Sequence, residues 1–203
     1  MVEFLIDENV ARKAVPDCRD VADCMDRLGF DNAGCGADFR TVRTNPNGTY
    51  MDEWGVTYRK NAEAVAHPLS GPITTMDDAR SYTLPDPDID HRLTKLRDLV
   101  SRYKGKRAII FHHRAAFMWS AYLMGIENIL MGFLTEPELV MDKVLEANIG
   151  VVRNAIRAGA EVIVLGDDYA HNTGPLMSRA VFVQFIKPRL KKMIAMVEAV
   201  RGL

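Results

Sequence analysis

Two adjacent aspartates, Asp167 and Asp168, directly follow a short apolar segment and are the residues of this chain best placed for chemistry. The segment, Val162–Leu165, is β-branched and uninterrupted, as in a strand buried on both faces of a parallel sheet. Ligands of α/β proteins bind at the loops that follow such strands, so this carboxylate pair predicts a catalytic site. The alternative is that one aspartate caps the next helix or turn.

Histidines supply further candidates for this site. His112 and His113 follow a second predicted strand, residues 108–111, and are expected in its loop at the same edge of the sheet. Adjacent residues point to opposite sides of a strand, so at most one of the two faces the centre. The alternative is a loop pair that is hydrogen-bonded locally. His171 comes shortly after Asp168, and a weak metal site formed by His112, Asp168 and His171 is a further hypothesis.

The elements that position these residues are predicted to alternate between strand and helix from residue 106 onward. Helices are expected over residues 117–133 and 136–158, between and outside the two strands. Ser178 is expected to cap a further helix, which Pro188 breaks or kinks. Alternation of this kind predicts a parallel sheet in which the two strands are neighbours and the long helix covers the outer face.

The first part, residues 1–105, is predicted to be mixed and rich in loops. Asn45-Pro46-Asn47-Gly48 is a strong turn signal and predicts a β-hairpin. The arms of this hairpin are expected at residues 40–43 and 50–58. Helices are expected over residues 17–28 and 89–103, and an extended connection over residues 84–88. Both parts are taken as one domain, residues 1–203.

Composition excludes several classes of function. The 203 residues carry 26 basic and 27 acidic side chains, so nothing indicates nucleic acid or an anionic membrane as partner. No apolar run approaches the roughly 20 residues of a membrane helix, and the acidic N-terminus is unlike a signal peptide. A cytoplasmic protein with a small-molecule substrate is predicted.

The cysteines, Cys18, Cys24 and Cys35, support a reducing compartment. Their odd number and irregular spacing argue against a disulfide framework and predict buried or incidental thiols. None forms a Cys-x-x-Cys pair, so a zinc site made from these three is not expected.

Several motifs, taken in order, resemble the uroporphyrinogen decarboxylase superfamily. They cover most of the chain from about Tyr50 and are Asp52-Glu53-Trp54-Gly55, His67-Pro68-Leu69, Gly125-Ile126-Glu127-Asn128, Glu136-Pro137-Glu138-Leu139-Val140, Gly166-Asp167-Asp168-Tyr169 and Gly174-Pro175-Leu176-Met177-Ser178. The resemblance implies an α/β protein with a (β/α)8 TIM-barrel fold. The superfamily includes a decarboxylase of heme synthesis and zinc-dependent methyltransferases that act on corrinoids.

Within that superfamily the methyltransferase-like branch is favoured. The paired aspartates followed by Gly174-Pro175-Leu176-Met177-Ser178 are similar to that branch, whereas the arginine-rich loop and catalytic aspartate of the decarboxylase find no convincing match. The resemblance implies methyl transfer involving a corrinoid or thiol acceptor. Asp167 and Asp168 are the catalytic candidates, and the substrate-binding candidates are His112, Tyr122, Tyr169 and Ser178. The alternatives are decarboxylation in porphyrin synthesis and a catalytically silent fragment or interaction module.

The zinc ligands of those methyltransferases are not found in this sequence. A His-x-Cys element is expected after the last helix, but no such element occurs and the chain ends at Leu203. A complete barrel typically needs about 250 residues, so an incomplete barrel is predicted. No metal ligand is therefore assigned, and zinc and a corrinoid are expected only in a full-length relative. Alone, the chain is expected to lack efficient turnover and to oligomerise, with a corrinoid protein as possible partner.

Overall fold

The structure, a computed structural model, describes residues 1–3, 6–59, 66–132 and 138–202. The helices are α1 (Glu8–Ala14), α2 (Val21–Arg27), α3 (Met76–Ser81), α4 (Thr94–Tyr103), α5 (Phe117–Met124), α6 (Ile126–Gly132), α7 (Glu138–Arg157), α8 (Arg179–Val181) and α9 (Lys187–Arg201). A 3₁₀ turn covers Asp90–Leu93 and a π-helical turn covers Phe182–Ile186. The strands are β1 (Asn32–Gly36), β2 (Thr41–Thr44), β3 (Thr49–Asp52), β4 (Thr57–Arg59), β5 (His67–Ser70), β6 (Ala108–His113), β7 (Val162–Leu165), β8 (Ala170–His171) and β9 (Gly174–Pro175).

A parallel sheet with the strand order β1-β6-β7 forms the frame of the protein. The predicted parallel pairing of β6 with β7 is confirmed, with Ile110 opposite Val162 and His113 opposite Leu165. β1, from the part predicted as loop-rich, pairs in parallel with the other side of β6. The result is a mixed α/β fold with an open parallel sheet, and the described strands do not close into a barrel.

The outer face of this sheet is covered by helices α4 and α7, as predicted for the long helix. Ile109 and Phe111 of β6 are fully buried there, against apolar side chains of both helices such as Leu96 and Ala155. The remainder of this core is Ala22, Ala33, Leu93, Leu99, Tyr103, Val151 and Ala160. Residues 136 and 137, with which the long helix was predicted to begin, lie outside the described residues.

β7 is not buried on both faces, which corrects the prediction. Val162 is 40% exposed, and the next three residues of the strand are half-buried. The reason is its position in the sheet. β7 pairs only with β6 and is the last strand in the order, so these apolar residues form an edge strand. An uninterrupted apolar run therefore did not distinguish a central strand from this edge strand.

A four-stranded antiparallel sheet, β2-β3-β4-β5, lies before the parallel strands of β6 and β7 in the chain. The predicted hairpin at residues 45–48 is confirmed by the pairing of β2 with β3. Its second arm is two strands rather than one, because the Asp52 carboxylate accepts hydrogen bonds from the backbone N–H groups of Trp54 and Val56. This turn places the Trp54 ring against Trp119 of α5, with centroids 4.5 Å apart.

The helix predicted over residues 117–133 is divided into α5 and α6. Gly125 separates them with φ = 89°, a left-handed value that side chains other than glycine rarely adopt. Residue 133 lies outside the described residues. Pro188 lies in the first turn of α9, directly after the π-helical turn, and the helical backbone continues from one into the other, so no break is seen at the proline.

Cys18 and Cys24 form a disulfide, which corrects the prediction of free thiols for these two residues. Their Cα atoms are 5.2 Å apart, because the turn that holds Cys18 folds back against Cys24 of α2. Cys35 is a free, half-buried thiol on β1. Among the described residues, no helix combines the length and apolarity needed to cross a membrane.

Candidate functional site

The C-terminal ends of β1, β6 and β7 meet at one edge of the parallel sheet, called here the strand-end edge. Gly36 of β1 is opposite His112 of β6, and His113 is opposite Leu165 of β7. The segments that follow these strands are residues 37–40, 114–116 and 166–169. All three begin at the strand-end edge, the place where loops of parallel α/β folds assemble ligand sites.

His112 and His113 belong to β6 itself, which corrects their prediction as loop residues. Strand alternation sends them to opposite faces, as expected from their adjacency. The His113 ring is buried on the outer face, with Nε2 at 3.0 Å from Asn148 Oδ1. Since the Asn148 amide nitrogen donates to the Ala115 carbonyl, its oxygen accepts a hydrogen bond from His113. Burial lowers the pKa of His113 to about 4, so this histidine is neutral and structural.

His112 lies on the opposite, inner face and is half-buried. Its ring covers the backbone of Gly36, where an added Cβ would come within 2.8 Å of the imidazole Cε1. Burial and, secondly, the charge of Arg114 lower the pKa of His112. Of the two histidines, His112 is the one on the face that a ligand of the strand-end edge can reach.

Asp167 caps helix α5 from across the strand-end edge. Its carboxylate accepts hydrogen bonds from the backbone N–H groups of Ala116, Phe117 and Met118 at 3.2, 3.2 and 3.3 Å. The Tyr169 hydroxyl donates a further hydrogen bond, also at 3.2 Å. Burial raises the pKa of Asp167, and these hydrogen bonds oppose the rise. Asp167 is therefore a helix cap, as the alternative prediction had it. The helix that it caps is not the next one but lies about 50 residues earlier in the chain.

Asp168 remains exposed, and its charge acts on Tyr122, which lies beside Arg114. Nη1 of Arg114 donates to the Gly166 carbonyl at 2.6 Å, and its guanidinium carbon lies 5.4 Å from the centroid of the Tyr122 ring. Burial, chiefly, and the charges of Asp168 and Asp167 raise the pKa of Tyr122, against the opposing charge of Arg114. Tyr122 therefore lies beside Arg114 and feels the charges of both aspartates.

Tyr169 and Ser178 occupy the segment after β7. The Tyr169 ring packs against Phe117 and Phe182, at centroid distances of 5.9 and 5.3 Å. Ser178 accepts a hydrogen bond from the Val181 N–H at 3.2 Å, which confirms its predicted role as the cap of the next helix. Both side chains have a structural contact, and Ser178 is exposed.

The hypothetical metal site is not formed. Within the ranges that the structure describes, no three His, Cys, Asp or Glu side chains come together as metal ligands, so His112, Asp168 and His171 do not. The exposed His171 lies in β8, which turns back through β9. The short β8-β9 hairpin, which was not predicted, is the reason that His171 follows Asp168 closely in sequence without joining it.

A groove of about 550 Å³ adjoins Tyr122, between β5 and the two helices α5 and α6. Its walls are mostly apolar, with polar groups from His67, Ser70, Glu127 and Asn128 at intervals. Pro68, Leu69, Gly71, Met118, Ala121, Gly125 and Ile126 complete the lining. Its size and mixed lining are those of a small-molecule site.

Comparison with known proteins identifies the family of the chain. The family model described as "Uroporphyrinogen decarboxylase (URO-D)" matches residues 21–202. The chain belongs to the URO-D family. The match begins at the first residue of α2 and contains all three strands of the parallel sheet, so β1 belongs to the URO-D region as much as β6 and β7 do. No curated protein matched the chain.

One motif of this URO-D chain holds a buried ionic cluster that the sequence did not reveal. Glu53 accepts a hydrogen bond from the Arg40 backbone N–H, and its two oxygens contact His91 Nε2 at 2.7 Å and Arg92 Nη2 at 2.8 Å. Although burial opposes it, these contacts lower the pKa of Glu53. His91 is half-buried, and Arg92 is only 1% exposed. In the sequence, only the Asp52-Glu53-Trp54-Gly55 motif pointed to Glu53.

Arg114 was also missed as a site residue. Its guanidinium donates to the Gly166 carbonyl and lies beside the Tyr122 ring. Nothing local in the sequence pairs Arg114 with residues 50 positions later. The signal lies in the topology, since Arg114 directly follows β6 and Gly166 directly follows the paired strand β7.

Proposed function

We propose that this URO-D family protein is methyltransferase-like and binds a small thiol acceptor at the strand-end edge. The observation that carries the proposal is the different use of the two aspartates. Asp167 is engaged by three backbone N–H groups and a tyrosine hydroxyl, whereas Asp168 stands exposed, with its charge acting on Tyr122. One carboxylate, one guanidinium and one phenol thus surround the position that we assign to the substrate.

Arg114 has the chemistry to activate a thiol. The thiolate is the nucleophilic form of a thiol, whose pKa is ordinarily about 8.5, and a neighbouring positive charge lowers that value. In the proposed step the thiol loses its proton to solvent and the thiolate sulfur forms a bond to the methyl carbon. The bond from that carbon to its donor breaks, and its electron pair stays with the donor. Tyr122, kept protonated by its raised pKa, donates a hydrogen bond to a polar substrate group, and Asp168 accepts one.

The groove beside Tyr122 supports a small-molecule substrate. It extends from Tyr122 along Met118 and Ile126, so an apolar portion of the substrate fits there while its polar end stays near Arg114. His112 completes the proposed contacts on the inner face of the sheet. In this proposal Tyr169 positions Asp167, and Ser178 positions helix α8.

Zinc does not fit the residues in hand. The sequence contains no His-x-Cys element, and in the described part of the chain no three potential ligands come together. We therefore assign no step to a metal held by these residues. A corrinoid enters the proposal only as the methyl donor, carried by a partner protein, and thus as a substrate.

The test is methyl transfer from methylcobalamin to a small thiol such as homocysteine, followed by the absorbance change of the cobalamin. We expect slow transfer above the rate without protein, abolished in Arg114→Met and reduced in Asp168→Asn. Glu146→Gln, an exposed change on α7, is the matched control and should leave the rate unchanged. Transfer that is indifferent to both site variants would overturn the proposal.

A parallel assay separates the alternatives. Consumption of uroporphyrinogen, dependent on Asp168, would favour decarboxylation over methyl transfer. If neither reaction exceeds its background and no thiol binds, the chain acts as an interaction module of the family rather than as a catalyst.

A further inference from the structure

The groove between β5 and the helices α5 and α6 is acidic at one end. Among the described residues that line it, Glu127 is the one carboxylate, and none is a lysine or an arginine. Glu127 lies in the first turn of α6 and is exposed. Arg114 is outside the lining, over the ring of Tyr122 at the other end. The charge of the lining therefore favours a positively charged group beside Glu127.

The neutral polar groups of the groove add hydrogen-bond acceptors to this charge. The Asn128 amide nitrogen donates to the Met124 carbonyl at 2.7 Å, so this side chain offers a ligand chiefly its oxygen. Ser70 and His67 on β5 can each accept one more hydrogen bond, through a hydroxyl oxygen and a ring nitrogen. A primary ammonium group donates three hydrogen bonds and accepts none, so it matches these groups.

The remainder of the groove suits an alkyl chain. Its apolar walls come from β5 through Pro68 and Leu69, and from the two helices through Met118, Ala121 and Ile126. Leu69 and Ile126 are 43% and 39% exposed, so apolar surface is open to solvent on both sides of the groove. An alkyl chain that covers this surface removes it from water. The walls and the acidic end together describe a ligand that is an alkyl chain with an ammonium group.

We propose that the groove binds a primary alkylammonium group through Glu127 and that the thiol acceptor carries this group. The second part rests on the proposed function, and the first on the groove alone. The ammonium donates to Glu127 and Asn128, the chain lies along Met118, and the thiol points to the Tyr122 end. An alkylammonium titrates near the lysine value of about 10.4, so it is charged at neutral pH.

Glu127 also acts against other thiols. A thiol with a carboxylate or sulfonate in place of the ammonium would bring a second negative charge next to Glu127. A hydroxyl in that place can still form hydrogen bonds but gains nothing from the charge. Glu127 is thus the residue that determines specificity, while the apolar walls contribute equally to all thiols with the same chain.

The binding test uses the full chain and two ligands without a thiol, hexylamine and hexanol, in titrations followed by NMR. At low ionic strength we expect hexylamine to bind roughly threefold to tenfold more tightly, the range that an exposed ion pair supplies. The preference should shrink in about 0.5 M salt, because exposed charges are screened. Equal binding of the two ligands would overturn the proposal.

Two glutamate variants locate the charge. Glu127→Gln keeps the size of the side chain, and it should abolish the preference for hexylamine while leaving the binding of hexanol unchanged. Glu146→Gln makes the same change at an exposed position of α7 and should retain the preference. A preference that survives in Glu127→Gln would show that another group selects the cation.

A transfer assay separates this inference from the proposed function. Aminohexanethiol and mercaptohexanol are compared as acceptors of the methyl group of methylcobalamin. We expect a lower KM for the aminothiol, and Glu127→Gln should remove that difference without changing kcat for mercaptohexanol. Glu127-dependent binding of hexylamine without transfer to either thiol would support the ammonium site and contradict the proposed function. Transfer to both thiols with equal KM would contradict the ammonium-bearing acceptor and support the proposed function.

Discussion

The outer face of the parallel sheet and its strand-end edge use the same residue types in opposite ways. On the outer face, His113 is buried and hydrogen-bonded to Asn148, whereas its neighbour His112 lies half-buried on the inner face. At the edge, Asp167 is enclosed by α5 while its neighbour Asp168 is exposed. Each identical pair thus supplies one structural and one accessible member. The lesson is that a repeated residue near a strand end indicates a site without telling which copy serves it.

The largest expected effect separates the two faces of β6 and β7. Phe111→Ala removes a fully buried ring between α4 and α7, and we expect a loss of about 3–5 kcal/mol in the free energy of unfolding. Val164→Ala on the half-buried inner face should cost about 1 kcal/mol or less. Urea denaturation of both variants measures the difference. Equal losses would contradict the distinction between a packed outer face and an open inner one.

The buried histidine predicts a pH dependence. The pKa of His113 is about 4 when folded and 6.5 ordinarily, so below pH 6.5 the unfolded chain binds the extra proton more readily. This contribution to stability is complete above pH 6.5 and is lost as the pH falls towards 4, by about 3 kcal/mol in total.

The measurement compares urea unfolding at pH 7.5 and pH 4.5 for the natural sequence and for His113→Gln. The variant retains a donor for Asn148 but does not titrate, so the loss of stability on acidification should shrink. His171→Asn, on the exposed β8, is the control and should retain the full loss. An unchanged acid sensitivity in His113→Gln would show that other groups cause it.

The paired aspartates give the next effect in size. Asp167→Ala leaves three backbone N–H groups of α5 without their acceptor, and we expect about 2 kcal/mol of destabilisation. Asp168→Ala should change stability by no more than about 0.5 kcal/mol, because its side chain is exposed. Thermal unfolding measures both. A larger loss for Asp168 would reverse the roles assigned to the two residues.

The sequence predicted those parts of the fold that depend on local patterns. The turn residues at 45–48 predicted the hairpin, and the apolar runs predicted β6 and β7. It did not predict β1, because Asn32-Ala33-Gly34-Cys35-Gly36 lacks the large or β-branched residues typical of strands. That strand exists through its pairing with β6, and small residues are required where the His112 ring covers Gly36.

For the candidate site, the sequence predicted the edge of the sheet but not the contacts, because those contacts join residues that are distant in the chain. Strand ends placed the aspartates and the histidines at one edge of the sheet, whereas Tyr122 was named only through the resemblance. The cap that Asp167 forms on α5 and the contact of Arg114 with Gly166 join residues about 50 positions apart. The Cys18–Cys24 bond likewise depends on how the turn before α2 folds back against that helix, which spacing alone did not indicate.

The smallest expected effect concerns Ser178, where capping and substrate binding make different predictions. Ser178→Ala removes the acceptor for the Val181 N–H, so a loss of about 1 kcal/mol or less is expected. Ser178→Asn restores a capping oxygen and should recover that stability, as followed by thermal unfolding. If Ser178 acts only as a cap, both variants bind thiol like the natural sequence in a titration. Weakened binding in the stable Ser178→Asn variant would instead place the hydroxyl in contact with substrate. The residues that face the substrate would then include Ser178, before α8, as well as Asp168.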